Sequence, residues 1–448
     1  MQNDLTKGNL FQNMLKFSLP YLLSCFLQTF YGLADLFITG QFNGADTITA
    51  VSVGSQITHM LTVIIVGLAM GTTVTVGHSV GAGDQKRTAK VIGNTVVLFA
   101  GFSVAFMLVL LLAKNGIIAA ISTPAEAVRE TGIYLMVCFL GVPFITAYNV
   151  ISSIFRGLGD SKTPMYFVAI AGVINVILDY ILIGPCGMGA LGAACATVFA
   201  QGCSVLFALV AITKKRLGDI KLTKDDFTPE KELIREIVGV GLPIACQDGL
   251  IQVSFLVITA IANGRGVEVA AAVGIVEKII CFIFLVPSSM LSTVSALSAI
   301  NAGAGEHKRA KQVLFYGIGI CLVFGAIVAV AFQFCSSQVI SLFVQEEPEV
   351  VRLGTQYLKA YIFDCGFAGV HFCYSGFFCA YGKSGYSFLH NMISIIIFRI
   401  PGAYLASVKF PETLFPMGLA APAGSLASAI ICTALFVYIN KKIIETKG

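Results

Sequence analysis

The sequence predicts an all-α integral membrane protein with twelve transmembrane helices, in two six-helix lobes related by a pseudo-two-fold axis along the membrane normal. Three observations carry that expectation. Of the 448 residues, 56% are hydrophobic and only 12% charged, about half the charge usual in soluble domains. Uncharged windows such as residues 91–113 and 318–334 approach or exceed the roughly 20 apolar residues that a helix needs to cross about 30 Å of hydrocarbon. The two halves of the chain also repeat one another around a polar centre. Strands of alternating polarity are absent, which disfavours a barrel.

Punctuation by glycine, proline and charge gives spans at 13–40, 49–78, 90–113, 126–154, 164–184 and 189–213. A second set runs 234–262, 268–301, 311–334, 350–379, 385–409 and 414–440. The first apolar segment is longer than a signal-peptide core and has no A-x-A-like cleavage site, so it is expected to remain as a mature helix. Between the two sets lies the most polar stretch, with Lys214, Lys215, Arg216, Asp225, Asp226 and Pro229. The expected organisation is therefore an amino-terminal lobe over 1–213, a cytoplasmic linker over 214–233 and a carboxy-terminal lobe over 234–448.

The formal charge of +5 does not point to nucleic acid, because the basic residues form short runs between spans instead of one basic face. With the amino terminus inside, twenty-one of the 29 basic residues fall on the cytoplasmic side, among them Lys86, Arg87, Lys90, Arg156, Lys162, Lys308, Arg309 and Lys447. The opposite loops hold mainly Asp46, Lys114, Glu126, Arg265, Glu346, Glu347, Glu349 and Glu412. The positive-inside rule thus predicts a multi-pass protein of the cell membrane with both termini cytoplasmic.

The internal repeat has three anchors. Gly81-Ala-Gly-Asp-Gln-Lys-Arg87 recurs 222 residues later as Gly303-Ala-Gly-Glu-His-Lys-Arg309. Ser18-Leu-Pro20 pairs with Gly241-Leu-Pro243, and Tyr134-Leu135 with Tyr357-Leu358, both 223 apart. Three anchors at nearly one offset mark a duplicated unit. Six helices are an even number, so both halves enter the membrane with the same orientation, the parallel-repeat plan of some secondary transporters, with a cavity expected between the halves. Glycine ends a helix and cations suit its negative end, which gives the Gly-Ala-Gly loops and Arg156-Gly-Leu-Gly-Asp-Ser-Lys162 a local structural reason; a hinge or gate is the other reading.

Other chemistry finds little support. Gly382-Lys383-Ser384 resembles the end of a P-loop, but position 377 is Phe where the motif needs Gly, and no strand precedes it. The five histidines show no H-x-x-H or H-x-x-x-H spacing. The thirteen cysteines are scattered, many within spans, and read as small buried residues. No enzyme activity and no cofactor is expected.

The informative residues are polar ones inside spans, since a carboxylate at membrane depth costs a few kcal/mol or more. Asp35 lies five residues before Gly40, and Asp179 five before Gly184, so both sit roughly 7 to 8 Å below the outer end of their spans. Asn175 is one turn deeper than Asp179, and Thr197 falls near the same level. Two carboxylates, an amide and a hydroxyl at similar depth suit Na⁺ or a shared proton; a hydrogen-bonded structural cluster is the alternative. The second half carries Asp248, Glu277, Lys278, Asp364 and Arg399 within spans, open to structural ion pairing or to lining a substrate path.

At this point the chain resembles the multidrug and toxic compound extrusion (MATE) transporters over essentially its whole length. The likeness rests on the paired six-helix plan, on Pro20 followed by Gln28, Tyr31 and Asp35, on both Gly-Ala-Gly loops, on Arg156-Gly-Leu-Gly-Asp160 and on Arg399-Ile-Pro401. Members of the DinF-like branch bind a cation through the residues that match Asp35, Asn175, Asp179 and Thr197, which the resemblance therefore implies as the coupling site, holding Na⁺ if sodium is the coupling ion. The other prokaryotic branch has acidic residues in the second lobe, but here Ile251 and Gln252 occupy the matching stretch, with Asp248 about a turn away, so that part of the pattern is not met.

The resemblance implies an antiporter that exports small organic, cationic or amphipathic compounds in exchange for Na⁺ or H⁺. Gln28, Tyr31, Gln252, Asp364 and Arg399 are the expected substrate contacts, membrane lipid is the expected surrounding partner, and a monomer is the expected state. Two rivals stay open: a flippase for a lipid-linked precursor, and a receptor or membrane enzyme that moves nothing.

Overall fold

The computed structural model describes residues 5–121, 123–215, 220–344 and 347–445; Arg216, Glu346 and Lys447, three charges used in the topology argument, lie outside the described residues. Among the described residues every regular element is helical. The first half contains α1 (Leu10–Phe42), α2 (Ala45–Gly81), α3 (Gln85–Ala120), α4 (Val128–Leu140), α5 (Val142–Gly157), α6 (Lys162–Ile183) and α7 (Gly189–Lys215). The second contains α8 (Lys231–Asn263), α9 (Val267–Ile283), α10 (Leu285–Gly303), α11 (His307–Ser341), α12 (Pro348–Tyr361), α13 (Asp364–Ala380), α14 (Ser384–Ile393), α15 (Ile400–Lys409), α16 (Phe415–Gly418) and α17 (Ala420–Glu445). Among the described residues, eleven helical runs are long and apolar enough to cross a membrane, and the bent pair α4 and α5 makes twelve when taken as one span.

Several spans expected to be continuous are broken. The fourth, expected over 126–154, bends by 47° between α4 and α5. Gly141 sits at the joint with Pro143 in the first turn of α5, and a side chain at Gly141 would collide with Val198, so the bend lets α7 approach the backbone. The tenth span divides at Ile362 and Phe363 into α12 and α13. The eleventh passes through a π-helical stretch, Ser394–Arg399, between α14 and α15, with Pro401 just after it; such wide turns recur at functional positions.

The glycine-rich loops are helix ends. Gly83, Gly159, Gly305 and Gly382 all have φ between 65° and 84°, the left-handed region that terminates helices without strain only in glycine. Asp84 caps α3 by accepting from the Arg87 N–H at 2.9 Å, and Asp160 accepts from the N–H groups of Lys162 and Thr163 at 3.0 Å. The P-loop-like Gly382-Lys383-Ser384 is the fourth such joint, between α13 and α14.

The chain forms two compact units, one of residues 1–8 and 15–241, the other of residues 9–14 and 242–448. The division falls at Gly241, inside α8, and not at the polar segment 214–233 that composition singles out. Packing gives the reason. Gly71 of α2 and Gly241 of α8 let backbone meet backbone: a Cβ on Gly71 would overlap the Ile237 carbonyl, and one on Gly241 would overlap the Leu68 carbonyl. Charges add to this, since Arg87 pairs with Glu236 at 2.9 Å and Lys90 with Glu230 at 2.6 Å. Asn94 of α3 receives the Glu230 N–H at 2.6 Å and donates to the Thr228 carbonyl at 3.2 Å. The polar strap and the first turns of α8 therefore belong to the first unit. Exposed pairs of this kind contribute only about 0 to 1 kcal/mol each, so the close backbone packing carries most of the attachment.

Within the strap, Asp226 accepts from the N–H and hydroxyl of Thr223 at 2.7 and 2.8 Å, and these donors hold its carboxyl below the usual carboxylate range. A depressed folded-state value stabilises the strap above the unfolded value near pH 4 and is lost as pH falls through the lowered one. Replacing Gly71 with Ala is expected to lower stability by about 1 to 3 kcal/mol, because the obstacle is backbone and cannot swing aside. Gly101→Ala, where nothing lies within 4 Å of the new methyl, is the matched control; thermal unfolding of both variants in detergent distinguishes them.

Candidate functional site

α1, α6 and α7 of the first unit converge on one buried polar cluster. Asp35 comes from the last third of α1, Asn175 and Asp179 from successive turns of one face of α6, and Thr197 from the third turn of α7. Asp35, Asn175 and Asp179 are 3%, 1% and 0% exposed, so none reaches water at the protein surface. Thr197 Oγ1 donates to Asp35 Oδ2 at 3.2 Å, and Asp179 and Asn175 lie within interaction range of the Asp35 carboxyl. Thr39 Oγ1, one turn on from Asp35, donates back to the Asp35 carbonyl at 2.7 Å and keeps that turn closed.

What the cluster lacks is as informative as what it holds. Asp35 Oδ1, both Asp179 carboxyl oxygens and both amide atoms of Asn175 have no hydrogen-bond partner among the described residues. No lysine, arginine or histidine forms an ion pair with them there. Buried polar atoms are nearly always satisfied, and an unsatisfied one costs about 1 to 3 kcal/mol. Four of the five atoms are oxygens, gathered in one place. Hard oxygen donors suit Na⁺. No group of three or more His, Cys, Asp or Glu side chains poised for a metal occurs among the described residues.

The surroundings keep this shell dry. Tyr134, 1% exposed, stands close enough for its phenol to feel both carboxyls, and its ring fits only because Gly54 has no side chain. Of the other residues singled out in α1, Tyr31 accepts from Gln201 Nε2 at 3.2 Å, and Gln28 meets Tyr148. Gln201 escaped the sequence reading, although it lies one helical turn after Thr197 on the same face of α7. Arg156, at the end of α5, donates to Ser153 Oγ at 2.7 Å and stacks 5.0 Å from the Tyr21 ring centroid, so it too is held inside the first unit.

The second unit is arranged differently. Arg399, on the π-helical stretch, donates to Tyr361 Oη at 2.6 Å and lies 4.5 Å from the Phe255 ring centroid. Asp364 feels its charge, but no ion pair joins the two among the described residues; the pairing expected near mid-membrane is a long-range interaction, with tyrosine and phenylalanine as the direct partners. Glu277 Oε2 accepts from Thr259 at 3.3 Å. Gln252 has no side-chain partner among the described residues and is half-buried on α8. The second unit thus carries its own cation beside its acids, whereas the first does not.

Comparison with known proteins identifies what the whole chain is similar to. A family model described as MatE matches residues 20–181 and again 243–405, one copy in each half. The "Probable multidrug resistance protein YpnP" of Bacillus subtilis is 30% identical over 93% of both chains. The "Multidrug export protein MepA" of Staphylococcus saprophyticus is 25% identical over 84% of this chain and 83% of its own. Among solved structures, the outward-facing conformation of a multidrug resistance MATE family transporter of the MOP superfamily superposes with a TM-score of 0.90 at 21% identity, covering 99% of this chain and 98% of that one.

Thr197→Ala should remove the one donor that Asp35 Oδ2 has and lower stability by about 1 to 3 kcal/mol, while Thr197→Ser should keep the hydroxyl and stay near wild type. Thermal unfolding in detergent at fixed pH and salt reads the difference, and equal losses in both variants would show that the methyl, not the hydroxyl, matters.

Proposed function

Since the chain belongs to the MatE family of multi-span membrane transporters, we propose that it is a secondary active antiporter that exports small organic, cationic or amphipathic compounds in exchange for Na⁺ or H⁺. It is a transporter, not an enzyme. The observation that carries the coupling reading is the set of orphaned buried oxygens on Asp35 and Asp179, with Asn175 beside them and Thr197 in place. The names of its relatives in Bacillus and Staphylococcus support the class of cargo.

The physical logic follows from charge. Two neighbouring carboxylates away from water repel and cannot both stay charged without a partner. A cation or proton entering the cluster removes that repulsion and draws α1, α6 and α7 together; its loss lets them separate. The ion therefore binds one conformation better than the other, and that differential affinity is all that a gradient needs to bias alternating access. A tenfold ion gradient supplies about 1.4 kcal/mol, and each charge adds about 2.3 kcal/mol per 100 mV of membrane potential. Together these sustain a sizeable outward concentration of cargo without nucleotide hydrolysis. All four coordinating side chains come from one chain, which fits a monomer. Placement in the cell membrane with both termini cytoplasmic follows from the excess of Lys and Arg at one set of loops.

Proteoliposomes loaded with a fluorescent organic cation test this. Separately imposed Na⁺ and pH gradients should accelerate dye efflux, and the gradient that does so names the coupling ion. Asp35→Asn should insert and stay folded but lose gradient-driven efflux by roughly tenfold or more, because one carboxylate with its partners no longer demands a cation. Near-normal efflux by that variant would remove Asp35 from the mechanism, and a dye that no gradient moves would count against transport itself.

A further inference from the structure

The internal repeat relates the polar centres of the two units as well as their joints. Ile258 stands fifteen residues after Pro243, as Asp35 does after Pro20, and each pair shares one uninterrupted helix. From Tyr134 and Tyr357 one equal step leads to Cys138 and Tyr361. In the eleventh span the register changes. The π-helical turn Ser394–Arg399 takes up one residue more than an α-turn. Counting from the positive-φ glycines Gly159 and Gly382, that extra residue brings Arg399 onto the position of Asn175, and Ala403 onto that of Asp179. Both acid positions of the first unit are thus apolar in the second, with Ile258 2% and Ala403 0% exposed, and a guanidinium stands for the amide.

The side chains around Arg399 agree with that placement. Its guanidinium lies 4.5 Å from the ring centroid of Phe255, one turn before Ile258 on α8, and donates to Tyr361 Oη at 2.6 Å. Tyr357, the counterpart of Tyr134, feels its charge, as Tyr134 feels the two carboxyls of the first unit. Acids are still present, on other helices. Glu277 of α9 and Asp364 of α13 both feel the guanidinium, and Glu277 Oε1 and Asp364 Oδ1 are buried with no hydrogen-bond partner among the described residues. Asp364 is 1% exposed, and Arg399 is the basic side chain that both acids feel. His371 of α13 is the other titratable group within its reach. Resting on the reading that the Asp35 cluster takes a cation, we propose that the Arg399 guanidinium is a tethered stand-in for that ion. It fills in the second unit the place that the exchanged cation takes in the first, and so limits the transporter to one coupling-ion site per chain.

Thermal unfolding in detergent tests this, because a cation or proton that binds only the folded state raises its melting temperature. Na⁺ is raised about a hundredfold at constant ionic strength and, separately, pH is lowered from about 8 to about 6. The Asp35→Asn, Asp179→Asn double variant silences the first unit and sets the baseline response, which should be smaller than that of wild type. Adding Arg399→Ala to it should enlarge the rise with Na⁺ or acid by about 3 °C or more, since Glu277 and Asp364 then need a partner. Adding Arg399→Lys instead should leave the baseline unchanged. Further neutralisation of the Arg399→Ala protein by Glu277→Gln and Asp364→Asn should abolish the enlarged rise. An Arg399→Ala response no larger than the baseline overturns the proposal. Should Arg399→Ala not fold, the further neutralised protein decides: its recovery shows that Arg399 balances the acids, and its failure to recover overturns the proposal. Failure of the underlying reading looks different, because wild type and the double variant would then respond alike.

Discussion

Two carboxylates buried side by side without a cation are the constraint on which the first unit depends. Every nearby choice accommodates them. Thr197 supplies one donor to Asp35, Tyr134 closes the space above with a glycine opposite its ring, and Asn175 stands one turn from Asp179 to complete the oxygen shell. None of these neighbours carries positive charge, and in the proposed mechanism a small cation or a proton supplies it. The second unit instead places Arg399 near enough for Asp364 and Glu277 to feel its charge.

The contrast between the units is informative because their sequences share a repeat. Both are built from the same helix joints, with glycines of positive φ at equivalent positions after the second and eighth spans and after the fourth and tenth. Backbone economy has therefore been conserved between the halves in this one chain while the polar contents have diverged. One half holds two acids with no basic partner among the described residues; the other holds acids beside a guanidinium stacked on an aromatic ring.

Much of this was legible in the sequence. The spans are long and strongly apolar, so their existence followed from composition, and Asp35, Asn175, Asp179 and Thr197 announced themselves because polar residues are costly at that depth. The joints were less legible. The bend at Gly141 depends on Val198, and the π-helical stretch before Arg399 has no local signature, since both arise from packing between segments far apart in the chain. The boundary at Gly241 was missed for the same reason: composition marks 214–233 as a linker, but composition does not reveal that Gly71 and Gly241 bring two backbones together. Gln201 was overlooked although the one-turn spacing from Thr197 was available.

The docking of the strap has a consequence for how the polypeptide assembles. Because residues 220–241 pack on α2 and α3, the second half of the chain begins with a handle already shaped for the first. Two polypeptides produced by splitting the gene just ahead of that handle should find one another in the bilayer and co-purify.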